Sequence, residues 1–292
     1  ILRIDDTDQS RSSKVFEDAI KSDLKWLGLK WNDTFNQSSR KDIYNEKINI
    51  LKNNKRLYPC FETAEELALK KKSLLSSGKP PIYDRSSLNL SEEEINQKIK
   101  NGKNPHWRFK LETNEISWND LIKGRVSFDP KNLSDPVLIR EDGTLLYHLP
   151  SVIDDIEENI THIIRGEDHI SNTAYHIQIF KALDSNIPIF AHHPFLIDDK
   201  GKGFSKRMGS LSIENFKKEG FENITLLNYF LFIGSSSNIE PITDITNIIK
   251  KFDIGNISKS SAKFSKESLI SLNKDTIKLL NFNQIKDKLM HL

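Results

Sequence analysis

Apolar positions recur along this chain at two spacings, and the changes between them mark the elements. "ILRI" reads as the end of a buried strand that breaks into the acidic turn Asp5-Asp6-Thr7-Asp8. Phe16, Ala19, Ile20, Leu24 and Leu27 then fall at helical spacing. A second helix is predicted over "KDIYNEKINILKNN", where Ile43, Ile48 and Leu51 form a narrower stripe. Strand, loop, helix, helix is the rhythm of part of an α/β layer.

From about Tyr58 the pattern changes. "TAEEL" and "SEEEI" each offer a capping box, Thr63 with Glu66 and Ser91 with Glu94, so helices are predicted to start there. Between them "SSGKPPIYDRSS" is a turn-rich break. Past Pro105 the short alternating runs "HWRFKL", "EISWNDLI", "RVSFD" and "VLIR" read as strands. "VLIREDGTLLYHL" predicts a hairpin turning at Asp142-Gly143. This stretch reads as a separate α+β module.

After Tyr147 the first pattern returns. "ITHIIRGEDH" predicts a strand running into a charged loop, "NTAYHIQIFKALD" an amphipathic helix, and "HHPFLIDD" another strand. The segment from about Ser210 is helical and lysine-rich, with "SSSN" and "NISKSSAKFSKES" as loops. An α/β layer interrupted by an insertion and then resumed is the simplest account.

Composition narrows the picture only a little. A chain of 292 residues exceeds one comfortable core, so two or three domains are expected. The formal net charge of +2 gives no bulk attraction for nucleic acid, so any RNA contact must rest on local arrangement. Cys60 is the only cysteine, which excludes an internal disulfide and a cysteine-rich zinc site. No apolar run approaches the roughly 18 residues of a membrane span, and no segment reads as a signal peptide. The sequence opens on Ile1 rather than Met, and an upstream piece is expected.

Several residues offer chemistry. "GKGFSKRMGSLSI" places Ser205, Lys206 and Arg207 beside the pivots Gly201 and Gly203, where two bases can follow a phosphate chain as it reacts. Taken alone, "SKR" is more often a solvated basic turn. Asp5, Asp6 and Asp8 cluster at a strand end, the usual ligand position in an open α/β sheet. A carboxylate there holds an ammonium, or simply favours a helix N-terminus. Arg165, Glu167 and Asp168 also follow a strand, and arginine suits bidentate carboxylate recognition, though an internal Arg–Asp pair is the plainer option. Tyr147 and Ser151 flank Pro150 and can hydrogen-bond a polar substrate or anchor the return into the layer. His192 and His193 tempt a metal reading, but adjacent side chains on a strand point to opposite faces, and both read as structural.

"LRIDDTD", "YHLPSVIDDIEENITHIIRGEDHISNTAYHIQIFKAL" and "GFSKRMGSLSI", in this order and spacing, resemble the bacterial glutamyl-tRNA synthetases, which are class I aminoacyl-tRNA synthetases. The resemblance covers nearly the whole chain and matches "SKR" to the family's mobile KMSKS-type loop. It implies a Rossmann-type parallel sheet interrupted by an acceptor-binding insertion and followed by a helical stem-contact region. The implied divisions are 1–57 and 147–208 for the catalytic layer, 58–146 for the insertion, 209–275 for the stem-contact region and 276–292 for the start of an anticodon-binding domain.

The resemblance also implies a reaction. Glutamate attacks the α-phosphate of ATP, pyrophosphate leaves, and the adenylate passes glutamate to the terminal adenosine of tRNA. By position, Asp5 meets the substrate amino group, and Tyr147, Ser151 and Arg165 hold glutamate, with Arg165 opposite a carboxylate. Asp168 and Leu196 line the ATP site. Lys206, helped by Arg207 and Ser205, stabilises the phosphates. Mg²⁺ is expected only with ATP, and no zinc is expected, because zinc-binding relatives use several cysteines where "YPCFET" has one. Partners follow as tRNA(Glu), with tRNA(Gln) as a second candidate, acting on a cytoplasmic monomer with no membrane. Lys70, Lys71 and Lys72 either meet tRNA phosphates or form a solvated helix face.

Departures from the family pattern set limits. The His-Ile-Gly-His signature lies upstream of "RIDDTD" in the family, so this chain alone is expected not to make the adenylate, unlike a longer parent. Gly203 stands where the loop usually begins with lysine, and Ser151 where some relatives have asparagine. Three other readings stay open at this point: a ligase that glutamylates a modified tRNA nucleoside, a glutaminyl-tRNA synthetase, and a non-catalytic tRNA-binding remnant.

Overall fold

The computed structural model describes residues 1–8, 12–198, 201, 203 and 212–289. It opens with β1 (Leu2–Ile4), α1 (Lys14–Trp26), β2 (Thr34–Asn36) and α2 (Lys41–Asn53), and β1 and β2 pair in parallel with Arg3 opposite Phe35. The Ser13 hydroxyl starts α1 by accepting the Phe16 N–H. Both elements occur as the pattern predicts, but neither is buried: β1 is half-buried, and Phe16 and Ile20 are 63% and 48% exposed. The reason is local. Two strands make too narrow a sheet to cover the helix face, and α1 instead packs its far end, Trp26 and Leu27, against the C-terminal helices.

β3 (Leu57–Cys60), α3 (Ala64–Ser76), α4 (Glu92–Lys100), β4 (His106–Phe109), β5 (Ile116–Asp120), β6 (Gly124–Phe128) and β7 (Val137–Ile139) follow. Both capping boxes close: the Thr63 and Ser91 hydroxyls accept from the Glu66 and Glu94 amides, and the two glutamates accept from the cap amides. β3, β4 and β7 form an antiparallel sheet in that order, and β5 and β6 a separate antiparallel ribbon. The hairpin after β7 turns at Gly143, whose φ of +83° suits glycine. Its return arm is a single bridge from Leu145 to Ile139, because a helix takes over within a few residues.

That helix is α5 (His148–Glu157), followed by β8 (His162–Gly166), α6 (Ile170–Ala182), β9 (Ile189–His193) and β10 (Leu196–Ile197). Pro150 sits in the first turn of α5, where an absent N–H costs nothing. β8 and β9 pair in parallel with Arg165 opposite His192. α6 is not amphipathic as expected. It is buried on most sides from Thr173 to Phe180, because Ile179 and Phe180 enter one core while Ala174 and Ile177 enter another. "HHPFLIDD" is also two strands rather than one, divided at Pro194-Phe195. The rest is α7 (Ile213–Lys218), α8 (Asn223–Phe232), α9 (Ile245–Lys251), β11 (Ala262–Lys263), α10 (Lys266–Leu279) and α11 (Phe282–Leu289). β11 lies in a stretch expected to be loop and pairs in parallel with β10.

The largest core joins Tyr44, Ile48 and Leu51 of α2 to Leu57, Phe109 and Leu138 of the β3-β4-β7 sheet, and to α5 and α6. It therefore runs across the expected boundaries at 57/58 and 146/147. Each such side chain stabilises the fold by about 1.5–3 kcal/mol on burial. A smaller core joins Ile116 of β5, Ile177 of α6 and Phe190 of β9, and the Leu121 amide donates to the Phe190 carbonyl at 2.9 Å. β5 is thus stitched to the β8–β9 layer. Between β1 and β8 lies a cavity of about 800 Å³, with Leu2–Ile4 on one wall and His162–Arg165 on the other. Among the described residues neither strand is paired along that side.

Candidate functional site

Asp5, Tyr147, Ser151 and Arg165 all line this cavity. Asp5 stands where β1 ends, and Arg3 grips it with Nε 2.7 Å from Oδ1 and Nη2 3.3 Å from Oδ2. Arg3 also donates to Asp155 Oδ1 at 3.2 Å. Asp6 is engaged elsewhere, accepting the Ser38 amide at 2.8 Å, the Ser38 hydroxyl at 2.7 Å and the Asn36 amide group at 3.0 Å. Burial works against its charge, but the Ser38 and Asn36 donors prevail and hold its carboxyl below the usual range. Of these two acids, Asp5 keeps the more open carboxylate. A second cavity of about 710 Å³, between the acidic turn and the Arg140–Tyr147 hairpin, shares Asp5 and Tyr147 with the first.

Tyr147 leads into α5, and its phenol oxygen accepts from Arg165 Nη1 at 3.0 Å. One turn on, Ser151 is 3% exposed and its hydroxyl has no hydrogen-bond partner among the described residues. A buried, unpaired hydroxyl on a cavity wall is the kind of group a polar ligand satisfies. Arg165 comes from the end of β8 and also donates to Thr173 Oγ1 at 2.7 Å. Burial lowers its pKa, and the guanidinium still carries its charge. Beside it His148 Nδ1 and His176 Nε2 are 3.1 Å apart. Burial, with the Arg165 charge adding, pushes His148 down to about 4 and His176 well below the ordinary value, so both rings stay neutral and leave Arg165 as the cation of this wall.

Asp155 also lines the cavity, and burial pushes its carboxyl up from 3.8 to about 6, against the pull of Arg3 and with the adjacent Asp154 charge adding to the rise. A folded-state pKa raised above the unfolded one means the folded chain holds the proton more tightly. That stabilisation is complete below about pH 4 and is lost as pH rises through about 6. The urea midpoint is therefore expected to fall between these pH values, and Asp155→Asn to flatten that fall. A wild-type midpoint that shows no such component, with identical profiles for the two proteins, would remove Asp155 from the account.

The remaining predicted residues are placed as follows. Asp168 follows β8, with its carboxylate folded over Gly166: a Cβ there would lie 2.5 Å from Asp168 Oδ1. Leu196 opens β10 and is half-buried. Both stand beyond the carboxyl ends of β8 and β9 rather than in the cavity lining, tied through Glu167, which accepts the Phe195 amide at 3.2 Å and Lys123 Nζ at 2.5 Å. Ser205, Lys206 and Arg207 lie outside the described residues. His192 is fully buried and His193 exposed, on opposite faces as alternation requires.

Cys60, Glu62 and His106 bring ligand atoms within 4.8 Å of one another. Glu62 already accepts from Tyr83 at 2.8 Å, Ser86 at 3.0 Å and Ser87 at 3.1 Å, and burial pushes the Cys60 thiol up, keeping it protonated. Of the three consecutive lysines, Lys70 is tied to Asp84 at 3.1 Å. Arg3, Asp155 and Thr173 were missed from the sequence. The "DD" doublet at 154–155 was the one available sign, and only the helical turn of α5 separates its members, sending Asp154 to the core and Asp155 to the cavity.

An acid at the end of one parallel strand and an arginine at the end of another face one cavity, at the carboxyl ends of strands where open α/β proteins commonly take their ligands. Residues 1–271 match the family described as tRNA synthetases class I (E and Q), catalytic domain, and the chain belongs to that family. It is 49% identical over 290 residues to glutamate–tRNA ligase 1 of Rickettsia prowazekii, covering 99% of this chain and 65% of that protein. Identity to glutamate–tRNA ligase 1 of Maricaulis maris is 44%, with the same coverage of 99% and 65%. Among solved structures, a glutamate tRNA ligase from Elizabethkingia meningosepticum in complex with its amino acid superposes with a TM-score of 0.86 at 29% identity, over 96% of this chain and 63% of that one. The glutamate-tRNA synthetase of Elizabethkingia anophelis gives 0.88 at 28% identity, over 98% and 65%. The chain thus spans about 65% of the length of the curated relatives it matches. Among the described residues no helix is long and apolar enough to cross a membrane.

Proposed function

We propose that this chain carries the glutamate-activating part of a glutamate–tRNA ligase. The observation that carries the reading is the cavity itself, where the Asp5 carboxylate and the Arg165 guanidinium share one lining with Tyr147 and the unpaired Ser151 hydroxyl. A small α-amino diacid offers the complement: an ammonium for Asp5, a carboxylate for Arg165 and Tyr147, and an acceptor for Ser151. A second carboxylate is left to react. Its oxygen attacks the α-phosphate of ATP, the new O–P bond forms as the bond to pyrophosphate breaks, and the acyl group then passes to a ribose hydroxyl of tRNA with release of AMP.

In this reading Asp168 and Leu196 border ATP, which enters with Mg²⁺ as a substrate complex, and Lys206, Arg207 and Ser205 serve its phosphates. Residues 58–146 hold the acceptor end of tRNA(Glu), 209–275 the stem, and 276–292 begin the anticodon-binding part. Zinc is not part of this reading, because Cys60 is the only cysteine of the chain. The test is a charging assay with the complete protein, ATP, tRNA and each amino acid in turn. Glutamate alone is expected to be attached and to drive pyrophosphate exchange. Attachment of glutamine, or none of any amino acid, would overturn the proposal.

A further inference from the structure

Behind Arg165 runs a line of buried polar side chains. Asp120, the last residue of β5, places Oδ2 2.5 Å from His192 Nδ1, while its Oδ1 accepts the backbone amides of His192, Ile122 and Lys123 at 3.1, 3.1 and 3.0 Å. His192 turns its other ring nitrogen, Nε2, to Thr173 Oγ1 at 3.0 Å and to Arg165 Nε at 3.4 Å. Thr173, in the first turn of α6, accepts from Arg165 Nη2 at 2.7 Å. Thr173 and His192 are fully buried and Asp120 is 4% exposed.

Threonine, histidine and aspartate in hydrogen-bonded sequence have the order of a nucleophile, its base and an orienting acid. Burial rules that use out, because Thr173 is fully buried and its hydroxyl meets no solvent. What the line does reach is the guanidinium. Burial opposes the charge on Asp120, but the three amides and the His192 ring hold its carboxyl below the usual range, so it accepts only. Nδ1 of His192 must then carry the proton and Nε2 must accept. Burial also lowers the His192 pKa against the pull of Asp120, which keeps the ring in this neutral form. The Thr173 hydroxyl donates to Nε2 and offers its lone pairs to Arg165. Every donor points from Arg165 toward Asp120, and three elements, α6, β9 and β5, fix the orientation of one planar group.

We propose that Thr173, His192 and Asp120 are positioning residues whose ordered hydrogen bonds hold Arg165 in the plane that receives the substrate carboxylate, an inference that rests on the assignment of Arg165 to glutamate. The Nη1 side, shared with Tyr147, is left facing the cavity while Nε and Nη2 are anchored behind it. Asparagine at 120 can donate as well as accept, which frees His192 to carry its proton on Nε2, aimed at the guanidinium.

The test measures glutamate KM, ATP KM and kcat in tRNA-supported pyrophosphate exchange by the complete protein. Thr173→Val, which replaces the hydroxyl with a methyl group of similar size, is expected to raise glutamate KM about tenfold and leave ATP KM within about twofold. Thr173→Ser is expected to restore the wild-type value. Asp120→Asn should raise glutamate KM in the same sense, and the double variant should cost less than the product of the two, because both act through one line. Unchanged glutamate KM in Asp120→Asn and Thr173→Val, parallel rises for glutamate and ATP, or failure of serine to restore would each overturn the proposal. If the valine variant does not fold, Asp120→Asn decides by the same glutamate-against-ATP comparison. A wild type without glutamate-dependent exchange, or one indifferent to Arg165→Ala, instead brings down the functional reading beneath it.

Discussion

Arg165→Ala in the complete protein is expected to raise glutamate KM by about a hundredfold to a thousandfold, with ATP KM changing by less than about threefold. The substitution leaves a substrate carboxylate without its cation. A buried, hydrogen-bonded charge pair that loses one partner costs about 2–5 kcal/mol, and each 1.4 kcal/mol is about tenfold in affinity. The two imidazoles beside Arg165 do not replace the cation, because His148 and His176 are both held neutral. Arg165→Lys separates charge from geometry: an ammonium keeps the sign but cannot serve Tyr147 and Thr173 with a flat fork. Its loss is expected to fall between wild type and alanine. Steady-state exchange kinetics at varied glutamate and varied ATP read both effects, and equal rises in the two KM values would mean that Arg165 supports the fold of the site without meeting glutamate.

Asp154→Ala is expected to lower stability by about 3–5 kcal/mol, the range for breaking a buried charged cluster from one side. Asp154 is 1% exposed, and its carboxylate accepts from Gln37 Nε2 at 2.8 Å and from the Tyr44 hydroxyl at 3.0 Å. Arg40 Nε lies 3.2 Å away without hydrogen-bond alignment, and Arg3 Nε lies at 3.8 Å. Burial pushes the Asp154 carboxyl up while these four partners pull it back. Alanine leaves the Gln37 amide and the Tyr44 phenol without their acceptor and removes the charge that faces Arg40 and Arg3 at the junction of β1, α2 and α5. Asp154→Asn keeps an acceptor for Gln37 or Tyr44 and should cost clearly less. Urea denaturation of the three proteins measures the series, and a loss under about 1 kcal/mol for alanine would show the cluster to be hydrated.

The types of element were legible where a short-range rule governs them. Thr63 with Glu66 and Ser91 with Glu94 start their helices because a capping box needs only four residues. Burial was less legible, because it depends on what lies across a gap in sequence. The stripe on α1 promised a covered face that a two-stranded sheet does not supply, and α6 looked one-sided although two cores claim it. In the candidate site, the Asp5, Asp6 and Asp8 cluster and the Arg165, Glu167 and Asp168 run stood out as charged residues after strands, and Tyr147 and Ser151 as polar flanks of Pro150. Only the family resemblance singled out Asp5 and grouped it with Tyr147, Ser151 and Arg165. Thr173, His192 and Asp120 could not be joined in advance: their line needs the β8–β9 register and the docking of β5 on β9, neither of which leaves a local mark. Arg3 was hidden in a strand of three residues, too short for alternation to give a face.

Among the described residues the facing rims of β1 and β8 have no strand partner, which carries a cost in the test tube. A strand edge without a partner beside the exposed Phe16 and Ile20 is a place where a stranger's extended segment can add. A concentrated stock of this polypeptide would accordingly cloud by self-association through that rim, and a lysine placed at position 16 or 20 would keep it clear.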